Sequence, residues 1–314
     1  MKLSSFIKLV EIQTKVASVI PFFAGVAFAK YRFDTFNPLV LLLFFICLLS
    51  LDMATTAINN LMDYKRAVLK EGFNFEYHNA VVRDKLNEKA VITVILLLLL
   101  TSAAFGLWLY VLTDIWVLLL GLFAGAIGVT YSFGPLPISR TPLGEVVSGL
   151  TMGGIIYFVA IYIQVYDLEL IKIGLENSVL AIDLKIIDLI AIILTSLPMI
   201  IYISNIMLAN NTCDVEDDVV NQRFTLPFFI GKKRASYLFA LLNLSTFLIL
   251  IFNVLVGVLP LITLLSLITI IPIYKNSRTF IDKQDKASTF VLSVKNFILY
   301  GIVYIITIGL GIFI

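Results

Sequence analysis

The sequence predicts an all-α, polytopic membrane protein with nine transmembrane helices, residues 1–314 forming one membrane domain. Three observations predict it. Apolar residues make up 60% of the chain and charged residues 14%, with a mean hydropathy of +1.01. An average soluble domain is about 45–50% apolar and about 25% charged. Apolar runs recur at the length a helix needs to cross a bilayer, about 20 residues. Lys and Arg gather in alternate connections between those runs. A closed β-barrel is the other way to satisfy a backbone inside lipid, and the alternating strands it needs are absent. The net charge of +2 is too small to point to a nucleic-acid partner. Cys47 lies in an apolar run and Cys213 in a polar motif, so no disulfide framework is indicated.

The expected spans are Lys15–Lys30, Asn37–Ile58, Ala90–Val111, Ile115–Tyr131, Leu143–Tyr166, Ile186–Leu208, Ala235–Phe252, Val256–Tyr274 and Phe290–Phe313. Lys2, Lys8 and Lys15 before a run ending Ala27-Phe28-Ala29 have the outline of a cleaved signal peptide. The leading region is long and carries Glu11, and the topology needs it, so it is read as a retained first span. Leu112-Thr113-Asp114 and the Asn253 region are tight turns that make their flanking helices antiparallel neighbours. With the N-terminus in the cytoplasm, 19 of the 23 Lys and Arg fall on that side. The predicted location is the cell membrane. The external stretch Asp167–Lys185 reads as an acidic, solvated loop.

Two strings match: Asn59-Asn60-Leu61-Met62-Asp63 and Asn210-Asn211-Thr212-Cys213-Asp214. They end the second and sixth spans on the same side, a parallel pseudo-repeat over 59–63 and 210–218. Positions i and i+4 share a helix face, so Asn59 joins Asp63, and Asn210 joins Asp214. The second cluster continues to Asp218, with Glu216 and Asp217 beside it. The first extends backwards through Thr56 to Asp52, an acid at membrane depth and a functional candidate for that reason. Oxygen ligands of this kind suit Mg²⁺, which is commonly held by one or two carboxylates plus substrate phosphates. Lys65, Arg66 and Arg223 flank the clusters, so Mg²⁺ with a diphosphate is the ligand that the charges fit. A cation-coupled transporter is the rival from another class. It needs polar groups reaching both membrane faces, and these motifs occupy one.

These residues carry a resemblance to the UbiA-type intramembrane prenyltransferases, across essentially the whole chain. The resemblance implies nine helices around a central cavity and two Asp-rich motifs holding Mg²⁺ and a prenyl diphosphate. Asn60 departs from the family, standing where Asp is usual, and Ala67 and Leu69 stand where a further acid is common. Tyr131-Ser132-Phe133-Gly134-Pro135, Leu143-Gly144-Glu145, Asn210-Asn211-x-x-Asp214-x-Glu216 and Arg223-Phe224-Thr225-Leu226 are similar to the menaquinone branch, the 1,4-dihydroxy-2-naphthoate prenyltransferases. The Asp52–Arg66 segment is similar to Gram-positive members. The implied partners are a polyprenyl diphosphate and an aromatic acceptor. Other acceptors, 4-hydroxybenzoate, haem or a glycerophosphate lipid, are the nearest alternatives. The implied metal ligands are Asp63, Asn59, Asp214, Asp218 and Asn210. Lys65, Arg66, Arg140, Arg223 and Tyr131 are expected at the diphosphate, and Asp52 at the acceptor hydroxyl. His78 is read as a loop residue without a role, Glu145 as a helix-start acid, and Lys232-Lys233-Arg234 as topology or lipid contacts.

Overall fold

The computed structural model describes residues 1–66, 79–134, 137–176 and 179–314. A short helix, Leu3–Leu9, precedes α1 (Val16–Phe33), α2 (Pro38–Arg66), α3 (Glu88–Leu112), α4 (Ile115–Ser132), α5 (Gly144–Leu168), α6 (Ile186–Cys213) and α7 (Lys232–Leu255). Then come α8 (Ile270–Asp282) and α9 (Phe290–Leu310). Among the described residues, 8 helices are long and apolar enough to cross a membrane. The span expected at Val256–Tyr274 is displaced. Pro260 starts a 3-10 helix, Leu261–Thr269, that runs directly into α8, whose far end carries Lys275, Arg278 and Asp282. The stretch expected as a solvated loop holds a hairpin instead. β1 (Ile171–Glu176) pairs antiparallel with β2 (Val179–Leu184), Ile171 opposite Leu184. The reason is legible in the alternation of Ile171, Ile173 and Leu175 with Lys172, Gly174 and Glu176.

Packing places α6 against α5, α7 and α9, and α1 against α5 and α9. The α2 helix lies along α3, with α4 beside them. The apolar windows of α3 and α4 are only 17% and 11% buried, against 50% for α5. Their outward Leu and Phe side chains are what a lipid-facing surface needs. The α3–α4 turn is made by a polar cap. Asp114 accepts from the backbone of Trp116 (2.9 Å), and Tyr162 donates to its second oxygen (2.6 Å), fixing the α3–α4 turn on α5.

The α5–α6 contact is the closest. Residues Gly149–Ile155 form a π-helical segment within α5. A Cβ on Gly153 would lie 2.6 Å from the Ile200 Cα, and one on Gly149 would lie 2.6 Å from the Ile200 carbonyl oxygen. Only glycine lets these backbones meet, the usual device where helices associate without a hydrophobic driving force. Opposite this contact α6 contains Pro198, which has no N–H for the carbonyl of Leu194. Asn253 at the end of α7 donates its amide to that carbonyl at 3.1 Å. The freed backbone group is thus satisfied by a neighbouring helix, as hydrocarbon requires.

Asn253→Leu removes that donor and should destabilise the protein by about 0.5–2 kcal/mol, read as a lowered thermal unfolding midpoint in detergent. Pro198→Ala restores the local hydrogen bond, so the same Asn253 change should cost less in that background. Equal costs in both backgrounds would show that the two residues are not coupled.

Candidate active site at the paired Asn/Asp motifs

The last turns of α2 carry the first motif. Asn59 and Asp63 share a face, and the Asn59 side-chain oxygen accepts from Ser132 at the end of α4 (2.9 Å). Asn60 points elsewhere. It is 5% exposed, and its amide donates to the Leu9 carbonyl and the Glu11 carboxylate, both at 3.1 Å. Asn79 in turn donates to the Asn60 carbonyl at 2.7 Å. This explains the departure from the family pattern. Two acceptors converge on position 60, so a donor belongs there, and a carboxylate would be repelled.

The second motif ends α6 and enters a short helix, Val215–Val220. Asn211 is 1% exposed and donates to Glu145 at the start of α5 (2.8 Å). Glu145, expected only to favour a helix start, therefore ties α5 to this motif. Asn210 and Asp214 both accept from Lys286, which lies just before α9. Asp218 is 5% exposed, its Oδ1 lies 3.3 Å from Arg223 Nε, and its Oδ2 is buried without a hydrogen-bond partner. The loop that follows is folded back by its own backbone: Arg223 N–H donates to the Asp218 carbonyl (2.8 Å), and Phe224 N–H to the Arg140 carbonyl (3.1 Å).

The two motifs lie within electrostatic reach of each other. The Asp63 carboxylate acts on both Asp218 and Arg223, and Tyr131 is among the groups acting on Arg223. Burial pushes the Asp218 carboxyl up to about 6; Arg223 opposes this, while Asp214 and Asp63 add to it. Asp217 is raised by burial and by Asp214. Glu216 is lowered chiefly by its hydrogen bond from Lys232, so the basic cluster at 232–234 is partly engaged by this motif.

Several expected residues are engaged away from this cluster. Asp52 gives one carboxylate oxygen to Lys15 and the other to Ser18, each at 2.6 Å. Lys15 is 4% exposed and also donates to Thr56. The pair ties α1 to α2, so each oxygen of the acid expected at the acceptor hydroxyl already has a partner within the bundle. Arg140 donates to the Asn221 carbonyl at 3.1 Å and thereby braces the loop after the second motif. Lys65 pairs with Glu88 of α3 at 3.3 Å, with both side chains largely exposed. The Tyr131 hydroxyl donates to the Gly144 carbonyl at 3.4 Å. Ala67, Leu69, His78 and the Arg66 side chain lie outside the described residues. Sequence reasoning missed Lys286, Lys15 and the role of Glu145. The lysines had been counted only as topology signals.

Among the described residues no three His, Cys, Asp or Glu side chains converge as a metal-holding group. That agrees with Mg²⁺ chemistry, in which one or two carboxylates suffice and substrate phosphates complete the shell. The Asp218 Oδ2, buried without a hydrogen-bond partner and within the fields of Asp214 and Asp63, is an oxygen that a cation could take. The residues fit the ion.

A helical membrane protein with two such motifs at one end belongs to the class of intramembrane prenyltransferases. The chain is a member of the UbiA prenyltransferase family, whose model matches residues 18–304. It is 30% identical over 233 residues to the 1,4-dihydroxy-2-naphthoate octaprenyltransferase of Bacillus subtilis, covering 74% of this chain and 68% of that one. Its fold matches a UbiA homolog from Archaeoglobus fulgidus bound to GPP and Mg²⁺, with a TM-score of 0.66 at 14% identity over 99% of this chain and 100% of that one. It also matches the apo structure of a UbiA homolog from Aeropyrum pernix K1, with a TM-score of 0.67 at 17% identity over 96% and 98% of the two chains.

The Asp218 value gives a pH prediction. Its folded-state value lies above the ordinary 3.8, so its contribution to stability is full at lower pH and is lost as pH rises through about 6. Cation binding needs the ionised carboxylate, so affinity for Mg²⁺–diphosphate should strengthen over that same rise. Titration calorimetry across the range tests this. Asp218→Asn should flatten the dependence, and a wild-type profile with no inflection near pH 6 counts against it.

Proposed function

We propose that this protein transfers a polyprenyl group from polyprenyl diphosphate to 1,4-dihydroxy-2-naphthoate, with loss of diphosphate and CO₂, giving demethylmenaquinol. The observation that carries the reading is the mutual reach of Asp63 and Asp218 from two separate spans, joined to the likeness to the Bacillus subtilis naphthoate enzyme. The Tyr131-Ser132-Phe133-Gly134-Pro135 string, similar to that branch, supports the same acceptor. The lopsided Lys and Arg distribution supports a cytoplasmic N-terminus and a site facing the cytoplasm, in the cell membrane.

Asp63 and Asn59 on one side, and Asp214, Asp218 and Asn210 on the other, would hold Mg²⁺. When bound, the ion supplies positive charge to the departing diphosphate. Arg223, held beside Asp218, adds a fixed cation on the same side. The allylic C–O bond breaks with its electron pair leaving on the diphosphate. The ring carbon bearing the carboxylate attacks the allylic carbon, and the electrons of the C–CO₂ bond restore the aromatic ring. No proton has to be taken from that carbon. The helix bundle keeps water from the allylic cation. Tyr131, bonded to Gly144, closes the end of α4 against the start of α5, beside the expected diphosphate position.

The test is prenyl transfer by the purified protein, with the product identified by mass, which reports acceptor, chain length and decarboxylation together. Asp63→Asn and Asp214→Asn should each lower Mg²⁺-dependent turnover by at least about 10²-fold while leaving the thermal midpoint near wild type. Near-normal turnover in either variant removes the two-motif site. A product that keeps its carboxyl group removes the naphthoate reading.

A further inference from the structure

Lys286 is the one basic residue for which the described hydrogen bonds reach both Asn210 and Asp214. Those two oxygens are the i, i+4 pair of the second motif. The ammonium also lies 5.0 Å above the Phe290 ring, a favourable seat for a cation. Its backbone is held in a built turn: Asp285 N–H donates to Thr289 Oγ1 (2.8 Å), Thr289 N–H donates to the Asp285 carbonyl (2.9 Å), and Ser288 N–H donates to the Asp285 carboxylate (2.8 Å). Nearby cations are committed to other acids, Arg223 to Asp218 and Lys232 to Glu216. Lys286 therefore sits where a divalent cation bound to Asn210 and Asp214 would have to sit. A cation drawn to the same pair of oxygens competes with the ammonium for them and is repelled by it.

We propose that Lys286 is a further diphosphate-binding residue, which bonds Asn210 and neutralises Asp214 without metal and moves to a diphosphate oxygen when a divalent cation takes those oxygens. The inference rests on the Mg²⁺–diphosphate reading given above. The flexible four-carbon stem lets the head group move while the turn stays fixed. The consequence is thermodynamic. A metal ion arriving alone must evict an ammonium that then keeps only the more distant fields of Asp217 and Asp218. Arriving with diphosphate, it leaves that ammonium a new partner. Metal and diphosphate binding are thus positively coupled through one side chain, and the coupling is reciprocal.

The experiment is calorimetric titration of the full-length, detergent-purified protein with Mg²⁺ alone, with inorganic diphosphate alone, and with each in the presence of the other. Wild type should bind Mg²⁺ weakly alone and at least about 10-fold more tightly with diphosphate present. Lys286→Met should bind Mg²⁺ alone more tightly than wild type, bind diphosphate more weakly, and show less coupling than wild type, the remainder being the direct contact between Mg²⁺ and diphosphate. Lys286→Arg should retain the coupling. If the Met variant does not fold, Lys286→Gln keeps side-chain length and a donor but removes the charge. Unchanged Mg²⁺ affinity and unchanged coupling in the uncharged variant overturn the role of Lys286 and leave the two-motif site standing. Absence of Mg²⁺-dependent diphosphate binding in wild type, or its persistence in Asp214→Asn, overturns the site itself and Lys286 with it.

Discussion

Hydrocarbon offers no water to a stranded polar group, and most of the specific contacts in this protein answer that constraint. Each buried charge, amide or freed carbonyl must find its partner on another helix. Lys15 meets Asp52, Asn253 meets the carbonyl that Pro198 leaves open, and Asn211 meets Glu145. Further pairs, Asn243 with Ser277 and Asn276 with Asn296, fasten α7 and α9 to α8 in the same way. Such contacts do more for uniqueness than for net stability. In lipid the unfolded helices also find partners, and each bond is worth a fraction to a couple of kcal/mol. What they forbid is any other arrangement, because misplacing one helix strands several groups at once.

Against that background the two motifs stand out by gathering acids and cations at one end of the bundle, with the Asp218 Oδ2 buried and without a hydrogen-bond partner. The amide positions Asn60 and Asn211 are turned into the protein and serve as bolts, one to the N-terminal segment and one to α5. The acids one turn further on, Asp63, Asp214 and Asp218, are left in one another's fields. The repeat thus separates two tasks within five residues. Its second residue fixes the helix end, and its first and fifth are the ones proposed to hold the ligand. The inequality of the copies follows from their surroundings. Position 60 faces acceptors and needs a donor, whereas the second copy continues into a short helix that can present Asp218 as well.

Much of this was legible in the sequence, because spans and i, i+4 clusters depend on residue type and spacing alone. Eight of the expected spans lie where apolar length placed them, and Asp63, Asp214, Asp218 and Arg223 were marked by spacing. What could not be read was pairing at long range. Nothing local in Lys15 or Lys286 tells whether it meets lipid headgroups or an acid, since the partners lie 37 and 72 residues away. Asp52 looked functional for the same reason, as an acid at depth whose counter-ion was invisible. The π-helical segment was hidden too. Nothing local accounts for Gly149, Gly153 and Gly154 until Ile200 is seen against them. The hairpin at 171–184 was the one local feature passed over, its alternation masked by charges that suggested a loop.

The Lys15–Asp52 pair also bears on how the chain enters the membrane. A lysine leaving the ribosome at position 15 has no counter-ion until the middle of α2 has been made, and a lone ammonium is costly within a bilayer. The first apolar stretch gains a fully neutral buried face only once the second lies beside it. The two helices are therefore best inserted as a hairpin, with α1 waiting at the interface for α2. Although α1 is made before α2, it reaches its final place only together with it, and the end of α2 that carries the first motif is braced by Leu9 and Glu11 in the same event.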